Sequence, residues 1–183
     1  MSEADWATAA PPDVLMGTVR LRAINIDDWA LEYQLSRDPD VVMWTFYPSD
    51  MDEDQSRRRI AESQAGADAG LMKRYVILDQ AGHALGTCGI ASLRTDVPEI
   101  FYALLPTARG RGAATEATKL LATWALTHGF SQVALETVED NTASERVARR
   151  AGFASVDRYE DEHRGEQVML TRWLNRAAGA STS

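Results

Sequence analysis

The sequence predicts a single α+β domain. Three observations carry that reading. Between residues 73 and 105 three apolar runs of strand length are separated by short turns, the pattern of an antiparallel meander. From Gly112 to His128 apolar residues recur at helical spacing on one face. After these, strand, helix and strand signals follow closely, with neither a repeat nor a linker. At 183 residues, 45% hydrophobic and 25% charged, the chain can bury one sizeable core.

Taken in order, residues 1–16 read as a flexible leader containing Pro11-Pro12, and 17–176 as the domain. Thr18 to Ala23 alternates Val19 and Leu21 with Arg20 and Arg22, the period of a half-buried strand. Asn25 or Asp27 caps a helix that carries Trp29, Leu31, Tyr33 and Leu35. Asp38-Pro39-Asp40 breaks that pattern, and the run Val41 to Tyr47 is apolar and aromatic. Ser49 or Asp50 is the expected cap of a second helix over 52–66. The meander comprises 73–78, 84–93 and 99–105. The long helix stops at Gly129, and 132–138 is the fifth strand. Thr142 and Glu145 fit a capping box for a short helix ending at Ala151-Gly152. A last strand pair covers 153–159 and 166–173, and 177–183 is an expected frayed tail.

Bulk properties exclude several classes. A net charge of −8 and a pI near 4.9 argue against nucleic-acid binding and suit a cationic partner or simple solubility. No apolar run reaches the roughly 18 residues of a membrane span, and the acidic start lacks a signal-peptide pattern. One cysteine, Cys88, supplies no internal disulfide, so a cytoplasmic location is expected. It falls on a buried-looking strand and reads as a small core residue. The three scattered histidines offer no metal site.

The stretch joining the fourth strand to the long helix is the most informative: Arg109-Gly110-Arg111-Gly112-Ala113-Ala114. Two glycines, two arginines and small residues at a helix N-terminus suit a phosphate or pyrophosphate, because backbone amides and the helix dipole converge there. The same residues also suit a tight turn without a ligand. The spacing lacks the Gly-Lys-Ser/Thr of a nucleotide loop and the third glycine of a dinucleotide fingerprint.

About 30 residues further on come Asn141, Ser144, Gly152 and Phe153. Together, Arg109, Gly112 and Ala114 followed by Asn-x-x-Ser and Gly-Phe resemble the signature of the GNAT N-acetyltransferase superfamily, in its RimJ/RimL-like branch. Leu21-Arg22, Asp27-Asp28 and Asp38-Pro39 extend the likeness, which covers roughly 17–175. The resemblance implies a mixed sheet whose fourth and fifth strands splay apart, acetyl-CoA as co-substrate, no metal, and a primary amine as acceptor. That amine is a protein N-terminus of the ribosomal-protein type or a small molecule, the first being favoured. The resemblance further implies that the pantetheine arm pairs near Leu104 and Leu105. The amides from Arg109 to Ala114 would hold the pyrophosphate, Asn141 the amide arm, and Ser144 would lie near the sulfur. The branch often forms homodimers. A silent acyl-CoA-binding module of the same fold is the alternative from another class, and a dinucleotide-binding protein is a third reading.

Acetyl transfer needs a base for the ammonium proton, a donor for the oxyanion and one for the leaving thiolate. Many relatives carry a tyrosine seven residues after the asparagine, but here that position is Ala148. Ser144 is therefore the candidate acid or thiolate donor. Glu99, opening the fourth strand, is the candidate base, with Glu136 on the fifth strand as second choice and direct loss of the proton to water as a third route. Trp44, Phe46 and Tyr47 are placed at the acceptor site by the resemblance, with core packing as the other reading. The acidic runs at 50–54 and 160–162 would attract a cation or be solvated loops.

Overall fold

The computed structural model describes residues 15–177, with side chains from residue 17 onward. Eight strands form one sheet: β1 (Leu15–Met16), β2 (Val19–Ala23), β3 (Lys73–Leu78), β4 (Ala84–Ala91), β5 (Glu99–Leu104), β6 (Gln132–Val138), β7 (Ala154–His163) and β8 (Glu166–Arg176), in the order β1-β2-β3-β4-β5-β6-β8-β7. The helices are α1 (Trp29–Leu35), α2 (Pro39–Trp44), α3 (Glu53–Asp68), α4 (Ala113–Thr127) and α5 (Thr142–Arg150). The expected meander is β3-β4-β5, paired antiparallel throughout. The expected fourth and fifth strands are β5 and β6. Of the expected leader, Leu15 and Met16 pair with β2, and of the expected tail, the Ala177 amide donates to the Ser131 carbonyl at 2.9 Å; the rest of both, residues 1–14 and 178–183, falls outside the described residues.

Side-chain alternation divides the core between the two faces of the sheet. Tyr75, Ile77, Cys88, Ile90, Ile100, Val133 and Leu135 face α4 and α5, where Ala117, Leu121, Ala125 and Ala148 are fully buried. Val76, Leu78 and Ala103 face the other way, onto Leu31 and Leu35 of α1, Val41 of α2 and Ile60 of α3. All six residues of β3 are buried, so that strand runs through the centre of the molecule. Cys88 is a fully buried free thiol, as expected of a small core residue.

Helix starts are where the structure departs from the sequence reading. Asp38-Pro39-Asp40 begins a helix rather than ending one. The Asp38 carboxylate accepts from the amides of Asp40 and Val41 at 2.9 and 3.1 Å, and Pro39 sits in the first turn, where its missing N–H costs nothing. The helix α3 is capped by Asp52, not by Ser49 or Asp50. Asp52 and Gln55 exchange side-chain and backbone bonds of 2.7 and 2.8 Å in a capping box. At α5 the cap is Asn141, whose Oδ1 accepts from the Ser144 amide at 3.1 Å, and the expected Thr142–Glu145 box is absent.

Candidate active site

The strands β5 and β6 run parallel and share a single register pair, Glu99 with Ala134. Beyond it they diverge, while β5 stays paired with β4 as far as Leu104. Along the seam every second peptide group of β5 faces outward, free of a neighbouring strand. The seam opens a cleft of about 880 Å³ that passes from the α4–α5 face to the α1–α3 face. Trp44, Phe46, Tyr47, Glu99, Leu104, Arg109, Gly110, Gly112, Ala113, Ala114, Asn141 and Ser144 all line it. Leu105 and Arg111 do not. Leu105 packs toward the α1–α3 core and gives its amide to the Leu85 carbonyl at 2.9 Å, and Arg111 is exposed.

At one end lies the glycine turn. Gly110 and Gly112 hold φ of 77° and 86°, which only glycine adopts at little cost, and the space where a Cβ would sit is empty. Gly112 is the N-cap of α4 and supplies no capping side chain. Among the described residues, the amides of Gly112, Ala113, Ala114 and Thr115 have no protein acceptor. Arg109 has a different role from its neighbours. Its amide goes to the Pro106 carbonyl at 3.3 Å, and its guanidinium clasps Asp38 and Asp40 at 2.8 and 2.7 Å. Burial alone would raise the Asp38 carboxyl, but hydrogen bonds from Arg109 and the Val41 and Asp40 amides outweigh it and hold the group below its ordinary range. The clasp ties the turn to the start of α2. Glu116 is likewise structural, accepting from the Thr18 amide and hydroxyl at 2.7 and 3.0 Å.

The alternation along β5 sorts the chemistry by face. Tyr102 and Leu104 share the side of Ile100, toward α4 and α5, with Ser144. The Tyr102 hydroxyl is buried and has no hydrogen-bond partner among the described residues. Burial pushes this phenol up to about 12. The neighbouring Ser144 hydroxyl offsets part of the rise, although the two do not reach hydrogen-bonding geometry. Glu99 lies on the opposite side, with Phe101 and Ala103. Burial, then the nearby Glu136 carboxylate, raise its carboxyl to about 7 against a smaller pull from Arg172. Glu136 itself accepts from the Tyr159 hydroxyl and from Arg172 Nη1 at 2.6 Å. Of the two carboxylates at the seam, Glu136 is therefore engaged, while Glu99 has no ion-pair partner among the described residues.

The α1–α3 end of the cleft is walled by the segment after α2. Phe46 is 74% exposed and Tyr47 5%. The Tyr47 hydroxyl enters a buried network: it donates to Glu32 Oε1 at 2.7 Å and meets Thr87 at 3.1 Å, while Arg74 and Arg59 bind the two oxygens of Glu32 at 2.7 and 3.1 Å. From the far edge of the sheet the β7–β8 turn reaches over this segment. Arg164 and Gly165 both hold positive φ, 56° and 81°, the requirement of a two-residue type I′ hairpin. The turn directs Arg164 to the carbonyls of Thr45 and Tyr47, and lets His163 Nε2 donate to the Met43 carbonyl at 3.1 Å.

Tyr102, Arg59 and His163, along with Arg146 and Arg150 of α5, line the cleft and were not singled out in the sequence. Period-2 alternation from Ile100 could have placed Tyr102 on the α4–α5 side of the seam. Nothing local marks Arg59 or His163, which arrive from distant elements. The acidic runs behave as solvated surface: Asp52 caps α3, Glu53 pairs with Arg57, and Glu160 to Glu162 lie exposed on β7. Among the described residues no His, Cys, Asp and Glu side chains cluster as a metal site, and no helix is long and apolar enough to cross a membrane.

The same architecture recurs in solved structures. A RimL ribosomal L7/L12 α-N-protein acetyltransferase in complex with coenzyme A is similar at 19% identity and a TM-score of 0.80, over 90% of this chain and 97% of that one. The microcin C7 self-immunity acetyltransferase MccE, bound to acetyl-CoA and AMP, is similar at 15% identity and 0.81, over 91% and 97%. Spermidine N-acetyltransferase from Vibrio cholerae, bound to CoA and spermine, is similar at 14% identity and 0.76, over 88% and 96%. No curated protein matches the chain by sequence. The acetyltransferase (GNAT) domain model matches residues 18–154, from β2 through the glycine turn and α5 into β7, and the chain therefore belongs to the GNAT acetyltransferase family.

Proposed function

We propose that this protein transfers the acetyl group of acetyl-CoA to a primary amine, and that the two substrates meet through the seam between β5 and β6. The observation that carries this reading is the opening of the sheet just past Glu99, with unpartnered helix amides on one face and an unpaired, raised carboxyl on the other. The amides from Gly112 to Thr115 are suited to the pyrophosphate, helped by the dipole of α4. The outward peptide groups of β5 near Leu104 are suited to the pantetheine amides, with Asn141 and Ser144 beside them. Arg146 and Arg150, four residues apart on α5, add positive charge on the donor side.

In the proposed reaction Glu99, from the opposite face, takes the proton of the incoming ammonium, directly or through water. A backbone amide of β5 donates to the carbonyl oxygen as it gains charge. Ser144, with Tyr102 beside it, donates a hydrogen bond to the departing sulfur. A phenol at about 12 and a serine hydroxyl are weak acids, so both stabilise the thiolate without surrendering a proton to it, and the thiolate takes the second proton from the nitrogen as the tetrahedral intermediate collapses to the amide. The favoured acceptor is a peptide N-terminus, since the exposed Met43 and Phe46 offer apolar cover for residues behind the amine.

Calorimetry against acetyl-CoA and NAD, followed by thiol-release assays with N-terminal peptides, polyamines and aminoglycosides, tests the reading. Binding of acetyl-CoA but not NAD, and turnover with at least one amine, are expected. Ser144→Ala should lower turnover and keep CoA binding. Binding of NAD alone would overturn the assignment, and CoA binding with no turnover on any amine would favour a silent module.

A further inference from the structure

The acceptor half of the cleft holds more positive charge than its neighbours neutralise. Arg59, on α3, lines that half. Its Nε binds Glu32 Oε2 at 3.1 Å, and its guanidinium lies 4.5 Å from the centre of the Tyr47 ring. Among the described residues, neither terminal amino group of Arg59 has a protein acceptor. Glu32 is 0% exposed and is shared with Arg74, so one carboxylate faces two guanidinium groups. Tyr47 does not alter that balance, since burial keeps its phenol neutral. One unit of positive charge is left at the pocket wall, on a side chain that stays 29% exposed to the cleft and solvent.

The carboxylates of the cleft point the same way. Asp40 is bound by Arg109, and Glu136 by Arg172 and Tyr159. Among the described residues, Glu99 is the one cleft-lining carboxylate without an ion-pair partner, and it has the work of the base. A polyamine would find no second anion for its distal ammonium groups. The net charge of −8 would suggest a cationic acceptor, but surface charge is screened beyond a Debye length of about 8 Å. Inside the acceptor half, Arg59 is a cation whose terminal amino groups no described protein group occupies.

We infer that Arg59 is an anion subsite of the acceptor pocket, and that the amine acceptor carries a carboxylate or phosphate a few bonds from its nitrogen. The inference rests on the acetyl-transfer reading. The free edge of a guanidinium presents parallel donors that match either anion. Register sets the reach. Tyr47 bonds Thr87, and Thr87 pairs with Ala103, four residues along β5 from Glu99. That is about 13 Å at 3.3 Å per residue, so an amine held between Glu99 and Ala103 has its anion one or two peptide units away.

A matched acceptor set tests this. Its members are peptides identical except for Asp, Asn or Lys in second place, and an aminoalkyl phosphate with its amino-alcohol parent. The wild-type kcat/KM should favour Asp over Asn by about tenfold, as for a charge-assisted hydrogen bond, with Lys lowest. A preference confined to the phosphate pair would identify a small-molecule acceptor. Arg59→Gln should bring the ratio near one, and Arg59→Lys should retain part of it. Equal rates within both pairs, or a ratio unchanged in Arg59→Gln, would overturn the subsite. Calorimetric binding of the same pairs to the CoA-saturated protein reads the subsite without turnover. Anion preference there with no transfer would overturn the acetyl-transfer reading and leave the subsite standing.

Discussion

Replacing Glu99 by glutamine should make the protein more stable and the enzyme worse, with both effects following the same proton. The Glu99 carboxyl is raised from 4.5 to about 7, first by burial and then by Glu136. Below pH 4.5 the group is protonated in both the folded and unfolded chain and contributes no pH dependence. Between 4.5 and 7 the unfolded chain has released the proton and the folded chain has kept it, so stability falls as pH rises through that window. Moving the carboxyl from 4.5 to about 7, at about 1.36 kcal/mol per pH unit, amounts to about 3 kcal/mol. Glutamine has no such loss. Urea unfolding of both proteins at pH 4 and pH 8 should show Glu99→Gln gaining up to about 3 kcal/mol on the wild type between the two. Over the same range wild-type kcat/KM should climb with a midpoint near pH 7, as the base is freed. The variant should lose that limb and about 10²- to 10³-fold in rate. A difference in stability that does not change with pH would refute the buried, raised carboxyl. A retained pH limb in Glu99→Gln would refute its role as the base.

Three further outcomes follow from the geometry. Gly112→Ala places a Cβ in open space but at φ 86°, so it should cost about 1 kcal/mol in unfolding free energy. A loss of CoA affinity well above tenfold would be expected with it, and unchanged affinity would remove the turn from the donor site. Tyr102→Phe deletes an unpartnered buried hydroxyl. It should leave thermal stability unchanged or higher by about 1 kcal/mol while lowering turnover about tenfold, and a clear loss of stability would mean the hydroxyl is bonded after all. Glu32→Ala strands the buried Arg74 guanidinium and should cost about 3–5 kcal/mol by urea unfolding, whereas a cost below 1 would show the network to be dispensable.

Much of the fold was legible because its signals are local. The stripe on α4, the cap at Asn25 and the β3-β4-β5 meander are each set by residues within a few positions of one another, and each is found where the pattern places it. Capping was less legible. Ser49, Asp50, Asp52 and Thr142 are all acceptable caps by type, and the choice among them depends on where the chain turns, which packing decides. Pro39 shows the same ambiguity: a proline ends one helix and begins another equally well, and the Arg109 clasp on Asp38 and Asp40 lies some 70 residues away in sequence.

What the sequence by itself determined is the pattern proposed as the donor side: the Gly110–Gly112 turn at a helix start, followed by Asn141 and Ser144 at the next. Backbone conformation and capping act over a few bonds, so spacing alone records them. Tertiary structure decided the chemistry along the seam. Glu99 acquires a raised pKa only because the assembled seam buries it and β6 brings Glu136 beside it, and Tyr102 becomes an unpartnered donor only because α5 covers it. Arg59 becomes a surplus cation only because Glu32, Tyr47 and Arg74 converge from three elements. Burial and charge balance are sums over neighbours distant in the chain, and they exist only once the sheet has been assembled.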